Sequence, residues 1–252
     1  MVCNHPDMTD LPRFLSLWKE TFGEWNGFWE TFLETAFSPT RCLCLREGEA
    51  ITAALTWLDC SCGGRKLAYI YAVVTHPAHR GKGLCRTLLA NTHALLKARG
   101  YAAALLVPAE SGLRAMYEKL GYHTCTFVRE FSCGAAGSAV SLRAIGPEEF
   151  AALRRDFLCR DGVVQEAENL PFLASQFRFF AGEDFLLTAY LEEGKLISPE
   201  LLGNTAAAPG ILRALEAASG TFRCPGREIP FAMLHPLGED AVSPAYFGFA
   251  FD

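Results

Sequence analysis

The chain has 252 residues, of which 50% are hydrophobic and 12% aromatic, and its formal net charge is −5. This composition supplies ample apolar surface for a packed core and excludes a largely disordered chain. The acidic balance argues against general binding to nucleic acid, so any cluster of cations has to be explained as a local site. The length fits one large domain or two smaller ones.

The ten cysteines are numerous for an intracellular protein. The first residues lack the pattern of a signal peptide, and the apolar runs are too short to span a bilayer, so we expect a cytoplasmic protein with reduced thiols. Cys42 and Cys44, like Cys60 and Cys62, are two residues apart and would share one face of a strand. No Cys-x-x-Cys accompanies these two pairs and no histidines stand at zinc spacing, which favours structural thiols over a metal site.

The chain opens with two predicted helices that are rich in aromatic residues. Asp10 can cap the first, Pro12 fits its first turn, and an apolar stripe follows to Phe22. A second stripe runs from Trp25 to Phe37. Such stripes usually belong to a core, but these two could also wall a substrate pocket, with Glu24, Glu30 or Glu34 on its rim.

Three strands are predicted next, over residues 41–46, 50–60 and 66–75. The third has apolar residues on both faces, as in a strand covered on both sides. It stops at His76-Pro77 and leads into Arg80-Gly81-Lys82-Gly83, followed by a helix over residues 84–99. Glycines let the backbone approach a ligand, and the N–H groups and dipole of a helix N-terminus favour anions. The residues alone leave two alternatives open, a phosphate site or a surface turn with cations.

The remaining pattern suggests a repeated unit. A strand (101–108), a short helix (111–120) and a strand (123–131) are followed by a small, flexible segment. The second half predicts a strand (139–144), helices from 147 and over 171–180, a hairpin (184–192 with 195–201), a helix (210–218) and three short strands, around 221, over 231–234 and over 246–251. This order repeats that of the first half, so we predict an internal duplication.

Two motifs in the first half resemble the GCN5-related N-acetyltransferases (GNAT). Arg80-Gly81-Lys82-Gly83-Leu84-Cys85 is similar to the family signature R/Q-x-x-G-x-G/A, and residues 115–122 (AMYEKLGY) resemble its A-x-x-x-Y-E-K-L-G-F helix. The resemblance covers about residues 8–131. It implies an α/β (α+β) acyl-CoA N-acyltransferase fold, a mixed and mostly antiparallel sheet flanked by helices, here as two tandem lobes. The expected division is a catalytic domain (1–133), a linker (134–138) and a GNAT-like second domain (139–252).

The resemblance also implies acetyl-CoA as cofactor and a primary amine as acceptor that attacks the thioester directly. The pyrophosphate would be bound at Arg80, Gly81, Lys82, Gly83, Leu84, Cys85 and Arg86, and the pantetheine arm along Val73 and Val74. Tyr117 stands where the family often has its general acid. A half-buried tyrosine that only packs on the cofactor is the alternative for this residue.

Several positions depart from the family pattern or stay open. Cys85 replaces the usual Gly or Ala, where a helix N-terminus could lower its pKa, and Glu110 stands where many members have Asn. The general base is not identified: Glu24, Glu30, Glu34 and Asp59 are candidates, though each is more typical of a solvated surface acid. For His76 and His79, packing of the loop is favoured over catalysis.

The second half lacks cations where its glycine loop should lie (residues 201–210), so we predict that it binds no acetyl-CoA and shapes the acceptor pocket instead. The apolar C-terminus is expected to complete a sheet. A small-molecule amine is the expected substrate, with no nucleic acid or membrane partner, and a homodimer is a possible assembly. The main alternative function is a non-catalytic acyl-CoA sensor or interaction module. A nucleotide-phosphate binder is weaker, because the loop lacks the Lys-Ser/Thr of a P-loop.

Overall fold

The structure, a computed structural model, describes residues 2–24, 27–158, 160–239 and 242–250. The first half contains, in chain order, β1 (Val2–Asn4), α1 (Leu11–Phe22), α2 (Phe28–Thr35), β2 (Cys42–Glu47), β3 (Ala50–Cys62), β4 (Arg65–Thr75), α3 (Leu84–Ala98), β5 (Ala103–Leu106), α4 (Leu113–Glu118), β6 (His123–Thr124) and β7 (Phe127–Gly134). The second half contains β8 (Leu142–Ile145), α5 (Pro147–Phe157), β9 (Val164–Gln165), α6 (Asn169–Gln176), β10 (Arg178–Gly182), β11 (Phe185–Glu192), β12 (Lys195–Gly203), α7 (Ala208–Ala214), β13 (Ser219–Pro225), β14 (Ile229–Pro230) and β15 (Met233–Pro236).

The strands form two mixed sheets that are built in the same way. The first has the order β1-β2-β3-β4-β5-β15-β6, with β9 also paired to β3, and the second has the order β8-β10-β11-β12-β13-β7-β14. Along these two paths, β4 and β5 pair in parallel in the first sheet, as do β12 and β13 in the second, and every other neighbouring pair is antiparallel. The shared polarity supports an internal duplication.

Each sheet contains one strand from the other half of the chain. β7 leaves the first half and pairs with β13, and β15 returns from the second half to lie between β5 and β6. The predicted linker connects β7 to β8 within the second sheet, and Ala135 N–H donates to the Ala218 carbonyl there. Each half of the chain therefore contributes a strand to the sheet of the other half. The domain boundary predicted at residues 134–138 stays a prediction.

The helices divide the apolar residues among three clusters. α1 and α2 contribute Phe14, Trp18 and Phe32 to a core that also contains residues of the second half such as Phe172 and Phe247. α3 and α4 cover the opposite face of the first sheet, and α7 covers the second sheet with its own cluster. Because the largest cluster draws side chains from both halves, the halves share one continuous core.

Some predicted elements differ from the structure. The strand predicted over 123–131 is interrupted, because the N–H groups of Cys125 and Thr126 both donate to the Ala232 carbonyl before β7 enters the other sheet. The helix predicted over 171–180 ends at Gln176, and the aromatic residues after it extend along β11. Asp10 precedes α1 but its side chain makes no capping bond to that helix; its carboxylate instead accepts from Asp7 N–H in the preceding turn and pairs with Arg46.

The C-terminal residues do not form the predicted strand. Tyr246 makes a single bridge with Gly162, and Phe247 and Phe249 are buried in the shared core. Phe251 and Asp252, the last residues of that prediction, lie outside the described residues. Instead, β15 completes the first sheet by lying between β5 and β6.

Further observations concern thiols, metals and membranes. The nine described cysteines are all free thiols. The described ranges contain no group of three or more His, Cys, Asp or Glu side chains arranged to hold a metal ion. None of the helices in those ranges has the length and apolar character needed to cross a membrane.

Candidate functional site

The loop after β4 is held in place by its own backbone and by one arginine. His76 N–H donates to the Thr52 carbonyl, residues 77–79 form a short helical turn, and Arg80 Nε donates to the Thr75 carbonyl at 3.2 Å. Gly81 and Gly83 have φ values of 75° and 76°, a backbone conformation that other residues rarely adopt. The sequence therefore fixes a tight entry into α3.

This loop has the features of an anion site. A side chain built on Gly81 or Gly83 would meet no atom within 4 Å, so both glycines face open space. In the described chain, the backbone hydrogen bonding of α3 begins with Thr87, whose N–H donates to the Gly83 carbonyl. The N–H groups before it are available to a ligand, and Arg80, Lys82 and Arg86 are exposed around them.

The predicted effect of the helix N-terminus on Cys85 is wrong. Burial raises the pKa of this thiol above its usual range, so the thiol is not activated. Leu84 beside it is buried in the cluster under α3. The side chains of Leu84 and Cys85 therefore pack against the protein, and only the backbone N–H groups of these residues can contact an anion.

A gap between β4 and β5 leads away from the loop. The two strands pair only at Leu67, Ala68 and Tyr69, after which β4 continues without β5 as a neighbour. In the same stretch the pairing of β3 with β4 shifts register, and Ala72 has a φ of 50°. The resulting bulge turns part of the β4 backbone toward the gap, where an extended ligand could pair with it. Val73 lines this gap, whereas Val74 is buried in the core.

Tyr117 lies at the end of the gap, on α4. Its side chain is 7% exposed and packs edge-on against Tyr122, with ring centroids 5.7 Å apart. Burial raises the pKa of the Tyr117 hydroxyl well above its usual value, with a smaller contribution from Cys85. The hydroxyl therefore keeps its proton at neutral pH and can donate it to a stronger base.

The gap opens into a cavity of about 750 Å³ that lies between the two halves. Its first wall consists of residues of β4, β5 and α4, among them Tyr71, Leu106 and Tyr117. Phe22, Phe28 and Trp29 of α1 and α2 add an aromatic wall, which the sequence offered as the alternative to the favoured core role; the same side chains also pack in or against the core. The third wall belongs to the second sheet and carries Glu130, Tyr190, Ser198, Thr221 and Arg223.

The acids that the sequence offered as general bases are not in the described lining of this cavity. Glu24 and Glu30 both pair with Lys19, at 2.6 and 2.7 Å, and Asp59 is bonded by Tyr101 and Lys66. Glu34 and Glu110 are exposed elsewhere. Glu130 lines the cavity and was not predicted, because the sequence does not indicate that β7 crosses to the second sheet.

In the second half, residues 201–210 do not form a comparable loop. A side chain at Gly203 would meet the Asp184 carbonyl oxygen at 2.3 Å, and one at Gly210 would meet Val140 at 2.6 Å. Asn204 fills the turn by bonding Asp184 and Ala206. The space that is open at the start of α3 is therefore occupied by the protein itself at the start of α7.

The mixed sheets, the flanking helices and the glycine loop between β4 and α3 are the arrangement of the acyl-CoA N-acyltransferase fold. Residues 5–125 match the family described as acetyltransferase (GNAT) domain. Residues 5–125 thus carry a GNAT acetyltransferase domain, and the protein is a transferase. No curated protein matches it.

Solved structures share the fold at low sequence identity. A GCN5-related N-acetyltransferase from Kribbella flavida has a TM-score of 0.70 at 20% identity, covering 94% of this chain and 72% of its own. Another from Anabaena variabilis has a TM-score of 0.73 at 13% identity, with 94% and 73% covered. A tandem GNAT protein from the clavulanic acid biosynthesis pathway has a TM-score of 0.53 at 13% identity, with 94% and 98% covered. The last agrees with two lobes of the same fold.

Proposed function

We propose that this protein is an acetyl-CoA-dependent N-acetyltransferase whose acceptor is a small primary amine. The observation that carries the proposal is that one cavity is lined both by the unpaired part of β4, at Val73, and by Tyr117, and that β4 leads directly into the open loop at Arg80–Arg86. The alternative, a non-catalytic sensor, would share the loop but has no use for an enclosed pocket beyond it.

The residues present fit acetyl-CoA. Backbone N–H groups from Gly81 to Arg86 and the side chains of Arg80, Lys82 and Arg86 would hold the pyrophosphate, and the edge of β4 at Val73 would hold the pantetheine arm. Acetyl-CoA supplies an activated acyl thioester, so that an ammonium acceptor, after losing one proton to become the amine, forms an amide and releases CoA as the thiol. With no open loop in the second half, one cofactor per chain is expected.

Tyr117 acts in this proposal as the proton donor for the leaving thiolate. The role rests on the position of the hydroxyl in the cavity, because burial raises its pKa and so keeps it protonated at neutral pH but also makes it a weaker acid than a free tyrosine. The largely apolar walls of the cavity lower the local polarity and strengthen the polar contacts that remain.

Calorimetric titration with acetyl-CoA tests the proposal. The double variant Arg80→Ala/Lys82→Ala should weaken binding by about 10- to 100-fold, since two cations near a pyrophosphate are lost. Lys97→Ala, which removes an exposed cation at the other end of α3, is the matched control and should bind normally. Absence of binding, or equal binding by the double variant, would refute the cofactor site.

Release of CoA thiol with a panel of amines separates an enzyme from a sensor, which would release none above hydrolysis.

A further inference from the structure

The wall of the cavity that belongs to the second sheet is one face of four neighbouring strands. Tyr190 of β11 is paired with Ile197 of β12, which is paired in turn with Thr221 of β13. Two positions further along β13, Arg223 is paired with Glu130 of β7. Paired residues share a face of a sheet, as do residues two apart in one strand, and all five of these residues line the cavity. The register therefore fixes which side chains of this sheet an acceptor can meet.

Glu130 supplies the carboxylate of the described cavity lining, and one of its oxygens is uncommitted. Oε1 accepts a hydrogen bond from Arg223 Nε at 2.9 Å, which orients the carboxylate, whereas no group of the described chain bonds Oε2. The side chain of Glu130 is 40% exposed, so a ligand can reach this oxygen. An ammonium group is the natural partner, because a hydrogen bond between two charged groups is stronger than a neutral one.

The wall formed by α1 and α2 presents aromatic rings to the cavity. Trp29 Nε1 donates to the Gly23 carbonyl at 2.9 Å, so the polar atom of this indole is already bonded within the protein. The Phe28 ring packs edge-on against the Trp29 ring with centroids 5.1 Å apart, and the Phe22 ring lies 5.6 Å from it. This continuous aromatic surface fits the apolar body of an acceptor, since contact with it removes apolar area from water.

The charges of the described lining restrict the charge of the acceptor. The carboxylate of Glu130 can balance one ammonium, but a second ammonium of a polyamine would find no other carboxylate there and would meet the guanidinium of Arg223. A carboxylate on the acceptor would have to compete with Glu130 for that guanidinium, which also packs 4.6 Å from the Phe231 ring. An acceptor with one ammonium and no other charge avoids both costs.

Building on the proposed function, we infer that the acceptor is an aromatic or large apolar monoamine without a carboxylate, and that Glu130 selects it. The ammonium form of the acceptor binds at Glu130 Oε2, and its apolar body packs on Phe22, Phe28 and Trp29. Glu130 belongs to β7, so the strand that the first half contributes to the second sheet takes part in acceptor recognition.

Calorimetric binding to the full-length protein in the presence of CoA tests this inference. Phenethylamine should bind about 10- to 100-fold more tightly than 2-phenylethanol, which has the same ring and chain length but a neutral hydroxyl. Glu130→Gln should remove this preference and leave the affinity for 2-phenylethanol nearly unchanged, because the aromatic wall is intact. A variant that binds neither compound has lost the cavity, and the comparison of ligands on the wild type then decides.

Glu149→Gln is the matched control for this variant. Glu149 is also paired with an arginine, Arg143, and its side chain is 45% exposed, but it lies outside the described lining of the cavity. The control should keep the preference of the wild type for phenethylamine. Loss of the preference in both variants would show that the effect does not come from the cavity and would overturn the role of Glu130.

Two further ligands test the charge of the acceptor. L-Phenylalanine, which adds a carboxylate, and spermidine, which adds ammonium groups, should each bind at least about 10-fold more weakly than phenethylamine. Equal or tighter binding of either one, no preference of the wild type for phenethylamine over 2-phenylethanol, or an undiminished preference in Glu130→Gln would overturn the inference. These results need no acetyl transfer, so the titration with acetyl-CoA and the release of CoA thiol decide the proposed function separately.

Discussion

Ala72 shows how one residue shapes the reaction site. Its left-handed backbone, at φ 50°, costs about 1 kcal/mol or more for a residue with a Cβ, and the surrounding strands hold it there. The bulge that results separates β4 from β5 and creates the edge that we assign to the cofactor arm. The strain of one alanine is thus linked to the opening that the ligand needs.

At the same scale, replacement of Tyr117 by Phe tests its chemical role. Tyr117→Phe keeps the ring and its packing but removes the proton, so turnover should fall by about 100-fold while the affinity for acetyl-CoA stays nearly constant. Steady-state kinetics and calorimetry measure the two quantities separately. Tyr122→Phe, a change in the neighbouring buried tyrosine, is the control. If turnover of Tyr117→Phe equals that of wild type, the tyrosine only packs on the cofactor.

Residue by residue, the sequence predicted local features better than distant ones. The Arg80–Arg86 loop follows from glycines and cations that are adjacent in the chain, and the structure gives it open space. Glu130 and Arg223, 93 positions apart, could not be paired in advance. Their contact depends on which sheet β7 joins, and β7 carries no local pattern that distinguishes the two.

Among the elements, α3 and β15 meet through two stacked histidines. His93 and His235 have ring centroids 4.0 Å apart, and a 2.8 Å hydrogen bond joins His93 Nε2 to the Tyr122 hydroxyl. Burial, and then the neighbouring His235, lower the pKa of His93 to about 3. Burial also lowers the pKa of His235. The contact that holds the exchanged strand against α3 thus requires neutral imidazoles.

This contact predicts a loss of stability in mild acid. Below pH 6.5 the unfolded chain binds a proton at His93 that the folded chain does not, so the free energy of unfolding falls as the pH falls toward 3. From His93 alone, about 2 kcal/mol should be lost at pH 5. Urea unfolding at pH 7.5 and pH 5 should show a smaller loss for His93→Gln.

His79→Gln, a histidine outside this stack, should retain the pH dependence of wild type. An identical loss in His93→Gln and wild type would contradict the assignment. Gln is chosen because it can still hydrogen-bond the Tyr122 hydroxyl, so that the comparison reports on the proton and less on a lost bond.

The chain as a whole behaves as one unit in this arrangement. Without β15 the first sheet exposes the edges of β5 and β6, and without β7 the second loses its partner for β13. Fragments 1–136 and 137–252 should each fail to unfold cooperatively when made alone, and should associate into an acetyl-CoA-binding complex when coexpressed. Calorimetric unfolding and size-exclusion chromatography measure these outcomes.

A fragment 1–136 that unfolds cooperatively and binds acetyl-CoA as tightly as the full chain would show that the exchange is dispensable.

The duplicated order of elements was predictable, because helices and strands recur with local periodicity. The exchange of strands could not be predicted. β15 and β7 occupy the same place in the first and second sheets, and only tertiary packing decides which of them joins which sheet.

The position of β15 near the end of the chain also governs the order in which the molecule can be assembled. During synthesis β5 and β6 emerge more than 100 residues before the strand that separates them. The first sheet cannot close until residues 233–236 have left the ribosome, so the facing edges of β5 and β6 stay unpaired until then. Such distant pairings slow folding and expose nascent chains to aggregation, and a chaperone that shields strand edges would act on this protein before its own C-terminal strand does.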